Sequence, residues 1–119
     1  MNLIVSTRTE AKHLRFEATG RWQDGDALQL AYLVKAAQAR AALDRFLIDL
    51  RRVTSDPASS EKFMVCDRLV RVFAAPVKIA LVGDAALIDA ETAVTVLPGA
   101  PVLAVFVREG DALTWLLAQ

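Results

Sequence analysis

Apolar and polar positions alternate from His13 to Thr19, and the pattern then changes to a helical period. Residues 2–8 and 11–19 read as two strands joined by a short polar turn. In the second strand Leu14, Phe16 and Ala18 face one way, and His13, Arg15, Glu17 and Thr19 the other. That period of two marks a strand with one wet face. Gly20 to Asp26 breaks the pattern, and Asp24 or Asp26 is placed to cap a helix running to about Ala41. Its apolar stripe is Leu30, Leu33, Val34, Ala37 and Ala41, with Gln29, Lys35, Gln38 and Arg40 outside. The many alanines raise helix propensity and let the helix lie close to a sheet.

Phe46 to Leu50 is continuously apolar except for Asp49, as in a strand covered on both faces. A second helix is predicted over about residues 57–73, with Phe63, Cys66, Leu69, Val70 and Phe73 on its apolar stripe. Val77 to Val82 is another central strand, closed by Gly83-Asp84. A helical segment over 89–97 follows, capped by Asp89 and stopped by Pro98-Gly99. Pro101 to Val107 is the last strand, and Asp111 caps a terminal helix from Ala112 to Ala118. The order is ββαβαβαβα: an antiparallel hairpin, then strands alternating with helices, which calls for parallel crossovers. The expectation is one α/β domain over residues 1–119, a small mixed sheet with covering helices.

Composition narrows the function classes. Fourteen basic and fourteen acidic residues cancel, so the strongly basic face of a nucleic-acid binder is not expected. One cysteine and one histidine cannot build an internal disulfide or a zinc site. No apolar run is long enough to span a bilayer, and the N-terminus reads as a strand rather than a signal peptide, so the expected location is cytoplasmic. Gly-rich phosphate loops, Gly-x-Ser-x-Gly, Ser-x-x-Lys and His-Glu-x-x-His are all missing. An enzyme is thus the weakest reading; it would rest on a carboxylate base such as Asp49 or Asp84. No catalytic residue, metal or cofactor is assigned.

The central "FLIDLRRVTSD", the later "VKIALVGDA" and the closing "LAVFVREGDALTWLLAQ" resemble STAS/SpoIIAA-like domains, and within them the stand-alone bacterial branch of poorly defined function. The resemblance implies a SpoIIAA-like fold and a non-catalytic regulatory or protein-interaction module. In the antagonist branch, a serine directly after an aspartate at the start of the second helix is phosphorylated and controls binding of a partner kinase. Here Pro57 follows Asp56, and Glu61 stands where a glycine usually follows the paired serines. The usual phosphoserine switch is therefore not expected, and Ser59 is the nearest candidate phosphosite. Other members of the wider fold bind lipids or apolar molecules between sheet and helices, which gives the alternative reading.

Asp56 and Pro57 also form a helix start, with Asp as N-cap and Pro at the first position. Arg51 and Arg52 end a central strand, the edge at which open α/β sheets bind ligands. Thr54, Ser55, Gly83, Asp84, Arg108 and Glu109 are expected at the same edge. The nominated interaction and anion-binding surface is Arg51, Arg52, Thr54, Ser55, Ser59 and Ser60, where two arginines can grip a carboxylate or phosphate. Asp49 is read as a structural acid satisfied by arginine or backbone N–H, His13 as a surface residue, and Cys66 as a buried thiol. Trp22 is read as a cover for the sheet edge. A protein partner is expected, and a homodimer is a candidate assembly.

Overall fold

The computed structural model of the chain describes residues 2–55, 62–93 and 98–118. Among the described residues, nine elements follow the expected order: β1 (Ile4–Thr9), β2 (Leu14–Arg21), α1 (Asp26–Ala41), β3 (Arg45–Thr54), α2 (Val65–Val72), β4 (Lys78–Val82), α3 (Ala90–Ala93), β5 (Val102–Phe106) and α4 (Glu109–Leu117). The five strands lie side by side in chain order, with β1 antiparallel to β2 and every later pair parallel. Parallel crossovers are right-handed, and here each steps in the same direction across the sheet. Successive helices α1, α2 and α3 are therefore delivered to one face. Only α4, which follows the last strand, is free to fold back over the other.

The two faces carry two unequal cores. On the first, Leu14, Phe16, Leu30, Val34, Phe46, Ile48, Leu69, Ile79 and Leu81 belong to one buried cluster. Phe46 lies at its centre, edge-on to Phe16 at 6.3 Å and tilted against Phe73 at 5.3 Å between ring centroids. On the second, Leu47, Ala80 and Val82 meet Ala112 and Leu116 of α4, with Phe106, Leu113 and Trp115 packed around them. Trp22 stacks on Phe63 at 4.5 Å and joins the rim of the larger core, a cover as expected. Gly83, just past β4, sits against the core; a Cβ there would lie 2.8 Å from Ile88 Cδ1. Gly20 adopts φ +132°, and a Cβ would approach the Asn2 carbonyl to 2.8 Å.

Several local expectations are corrected. α1 starts at Asp26 with Gly25 as N-cap, so neither Asp24 nor Asp26 caps it. Asp26 is buried and its carboxylate instead accepts the Gln23 N–H at 2.8 Å, locking the turn before the helix. α4 begins at Glu109 with Arg108 as N-cap, so Asp111 lies in its first turn. Residues 62–64 precede the described helix α2, which is shorter than expected; Asp56, Pro57, Ser59, Ser60 and Glu61 lie outside the described residues. Of the segment expected at 89–97, the described part of α3 is Ala90–Ala93, and 94–97 lie outside the described residues.

Asp89 does not cap its own helix with its carboxylate. Oδ1 accepts the Cys66 N–H at 2.9 Å and Oδ2 the Asp67 N–H at 2.9 Å, satisfying two of the orphan donors at the start of α2. A parallel bridge between Phe63 and Ile88 holds the two segments together. The Cys66 thiol is fully buried, and that burial, with the Asp89 carboxylate beside it, pushes its pKa up. It is therefore a neutral core residue at physiological pH.

Candidate functional site

The site grows from an irregularity in β3. Its register against β2 shifts between Glu17↔Asp49 and Thr19↔Arg52, so Leu50 and Arg51 together oppose Ala18. Such a bulge re-aims the residues beyond it. Leu50 and Val53, three residues apart, are both buried in the larger core. Asp49, Arg51 and Arg52 all reach charged partners on the opposite face. Strict alternation would have driven Arg52 into the core and Val53 out of it.

Asp49 is the buried centre, its side chain 3% exposed. Oδ1 accepts the Arg51 N–H and Nε, both at 3.0 Å; Oδ2 accepts Arg51 Nη2 at 2.8 Å and Arg15 Nη2 at 3.0 Å. Glu109, the first residue of α4, closes the group from the other side. Its Oε1 accepts Arg15 Nη2 at 2.9 Å and Arg51 Nη2 at 3.0 Å, and its Oε2 accepts Arg15 Nε at 3.1 Å. Glu17 pairs with Arg15 at 3.2 Å and with Arg52 at 3.3 Å. Three arginines and three acids thus balance along the line where α4 stops covering the sheet.

The electrostatics follow from this pairing. Burial pushes the Asp49 carboxyl up, but the Arg51 guanidinium, its backbone N–H and the Arg15 charge together hold it below the usual carboxylate range. Glu109 is held low chiefly by its hydrogen bonds from Arg15, against a smaller effect of burial. Arg15 is held charged, above its ordinary value, first by the bond to Glu109. Both acids are therefore ionised at neutral pH, and Asp49 is a poor proton acceptor for catalysis. Among the described residues, no group of three metal-ligating side chains gathers and no buried side-chain polar atom lacks a partner.

The nominated residues are only partly brought together. Arg51 and Glu109 meet, as the shared strand edge predicts. Thr54, the last residue of β3, is exposed, its hydroxyl 3.4 Å from the Gly20 carbonyl, and Ser55 follows the strand half-buried. Gly83 donates its N–H to the Phe106 carbonyl at 2.9 Å. Asp84 closes its own turn by accepting the Ala86 N–H at 2.8 Å and does not join the arginines. Ser59 and Ser60 lie outside the described residues. Arg15 and Glu17 were absent from the nominated surface; their place on the polar face of β2 was the available signal.

His13 is a correction. It is 8% exposed rather than on the surface. It precedes the first residue of β2, and its carbonyl accepts the Glu10 N–H at 2.9 Å in the β1–β2 turn. Burial, partly opposed by Glu10, lowers its pKa.

The order of strands, the single helix on the second face and the crossovers on the first define a SpoIIAA-like α/β fold. The chain is similar to the crystal structure of an uncharacterized protein of the DUF3478 family, with a SpoIIAA-like fold, from Shewanella loihica PV-4. The likeness covers 97% of this chain and 93% of that one, at 20% identity and a TM-score of 0.54. No protein-family model matches the chain, and no curated protein matches it. Among the described residues, no helix is long and apolar enough to cross a membrane.

Proposed function

We propose that this protein is a non-catalytic, cytoplasmic regulatory module of the STAS type. It docks a protein partner through the exit of β3, on the half of the sheet that α4 leaves open. The carrying observation is the bulge that turns Arg51 and Arg52 to the same face, where their side chains are 46% and 73% exposed. Asp49 of the same strand, with Glu17 of β2 and Glu109 of α4, already holds these guanidiniums, so less side-chain entropy is lost when a partner binds. A guanidinium carries five donors, and the ion pairs engage only part of them. An acidic patch on a partner therefore suits this surface better than a basic one. The reading dispenses with the phosphoserine switch, because Pro57 stands directly after Asp56 in the sequence.

The alternative, an apolar ligand between α1 and the sheet, is supported by no comparable feature. The side chains at that boundary, including Phe16, Leu30, Val34 and Phe46, are fully buried within one contiguous cluster. The test is capture of partner proteins by the wild-type chain and by an Arg51→Ala, Arg52→Ala double variant. Capture is expected to fall about tenfold or more, the effect of losing one or two interface arginines, while the variant stays folded. Unchanged capture overturns the assignment of this surface.

A further inference from the structure

The two acids that grip Arg15 and Arg51 are not equivalent. Asp49 belongs to β3 itself, is buried, and also accepts a backbone N–H of its own strand. Glu109 comes from a different element, is 27% exposed, and reaches the arginines only through its side chain. It accepts two bonds from Arg15 and one from Arg51. A carboxylate arriving on a separate chain would take up the same fork-on-fork geometry.

We infer that Glu109 is an internal occupant of a two-arginine carboxylate site, displaced when an acidic side chain of a protein partner binds Arg15 and Arg51. This rests on the docking surface proposed above and adds its ligand chemistry and its gate. Displacement leaves Asp49 in place, so the arginines stay charged and oriented. It frees the first turn of α4, while the far end of that helix stays anchored. There Arg45 Nη1 bonds the Leu116 carbonyl at 3.0 Å, and Lys78 bonds the Trp115 carbonyl and lies 4.4 Å from the Trp115 ring centroid. The site is thus closed by two part-buried bonds to Arg15 and one exposed bond to Arg51, all made by a single carboxylate that a multivalent acidic segment can outcompete.

The experiment titrates hexaglutamate at low ionic strength into the full chain, following the arginine Nε–H resonances. Glu109→Gln is expected to bind at least about fivefold more tightly than wild type, with Arg15 and Arg51 moving on binding. About fivefold is the upper range for the exposed pair with Arg51 alone, and the part-buried bonds to Arg15 add to it. Glu109→Asp keeps the charge at the helix start but shortens the reach, and a gain of about two- to threefold is expected. It serves as the readout if the glutamine variant fails to fold. Affinity equal to or below wild type in the folded variants overturns the inference. If binding is unaffected by the Arg51→Ala, Arg52→Ala change, the docking surface itself falls. If binding needs the arginines but ignores Glu109, only the gate falls.

Discussion

The two faces of the sheet solve the same problem, covering backbone and side chains, by different means. The face under α1, α2 and α3 is closed by apolar side chains, with Phe46 between Phe16 and Phe73. The face under α4 is closed by apolar packing only over β3 to β5, through Leu47, Ala80, Val82 and Leu116. Beside the first turn of α4, paired charges take over: Arg15, Glu17, Asp49, Arg51, Arg52 and Glu109. Apolar burial is nondirectional and stabilises in proportion to area. An ion-pair line adds little net stability, because pairing gains are offset by desolvation, yet it fixes geometry and stays accessible. The first face holds the fold, and the second is free to present a surface.

That contrast can be broken at its strong end. Phe46→Ala removes the ring at the middle of the larger core and is expected to cost about 3–5 kcal/mol, measured by chemical denaturation. A loss near 1 kcal/mol would mean that the two faces contribute comparably.

Two of the buried aspartates, Asp49 and Asp89, sharpen it further. Asp49→Asn keeps the shape but turns one of two accepting oxygens into an amide donor that faces arginine N–H groups, breaking a buried pair; about 3 kcal/mol is expected. Asp89→Ala strips two backbone donors of α2 of their acceptor and is expected to cost about 2 kcal/mol. Denaturation of both variants under one condition checks the order, and a larger loss at Asp89 would reverse it.

The smallest effect is in the pH dependence. His13 has a lowered folded pKa, so the unfolded chain takes up its proton first as pH falls. Stability should begin to drop below about pH 6.5, the ordinary histidine value, and continue to drop until His13 protonates in the fold. Asp49 and Glu109 are also depressed; their contribution is full above about pH 4 and is lost as pH falls below that toward their folded values. Stability measured against pH should therefore show two acid steps. His13→Gln should remove the upper one alone, and its persistence in that variant would assign it elsewhere.

The fold was largely legible. Alternation at Leu14, Phe16 and Ala18 and the helical stripe at Leu30, Val34 and Ala37 report which side of each element is buried, and burial is what the periodicity measures. The misreadings have local causes. Alternation was carried one residue too far at His13, beyond the start of β2. Asp26 and Asp111 were given caps because a capping rule sees only the nearest helix, whereas Gly25 and Arg108 hold those positions. Asp89 was assigned to its own helix because a carboxylate serving an amide 23 residues away leaves no local trace.

The site was legible by residue type and edge, but not by pairing. Arg51 and Arg52 lie near the end of β3 and Glu109 follows β5, and strand ends gather at one edge of an open sheet. That Glu109 binds Arg15, 94 residues away, depends on α4 folding back over the face the crossovers left uncovered. The bulge that gathers the two arginines exists only relative to β2, since an extra residue has meaning only against a partner strand.

By itself, then, the sequence determined the elements, their order and their buried faces, because these are written in local periodicity and propensity. Tertiary structure alone decided the register shift at Asp49, the bond from Asp89 to α2 and the closure of the arginines by Glu109. Each of those joins groups distant in the chain, and their energy arises only once the sheet has brought them within hydrogen-bond reach.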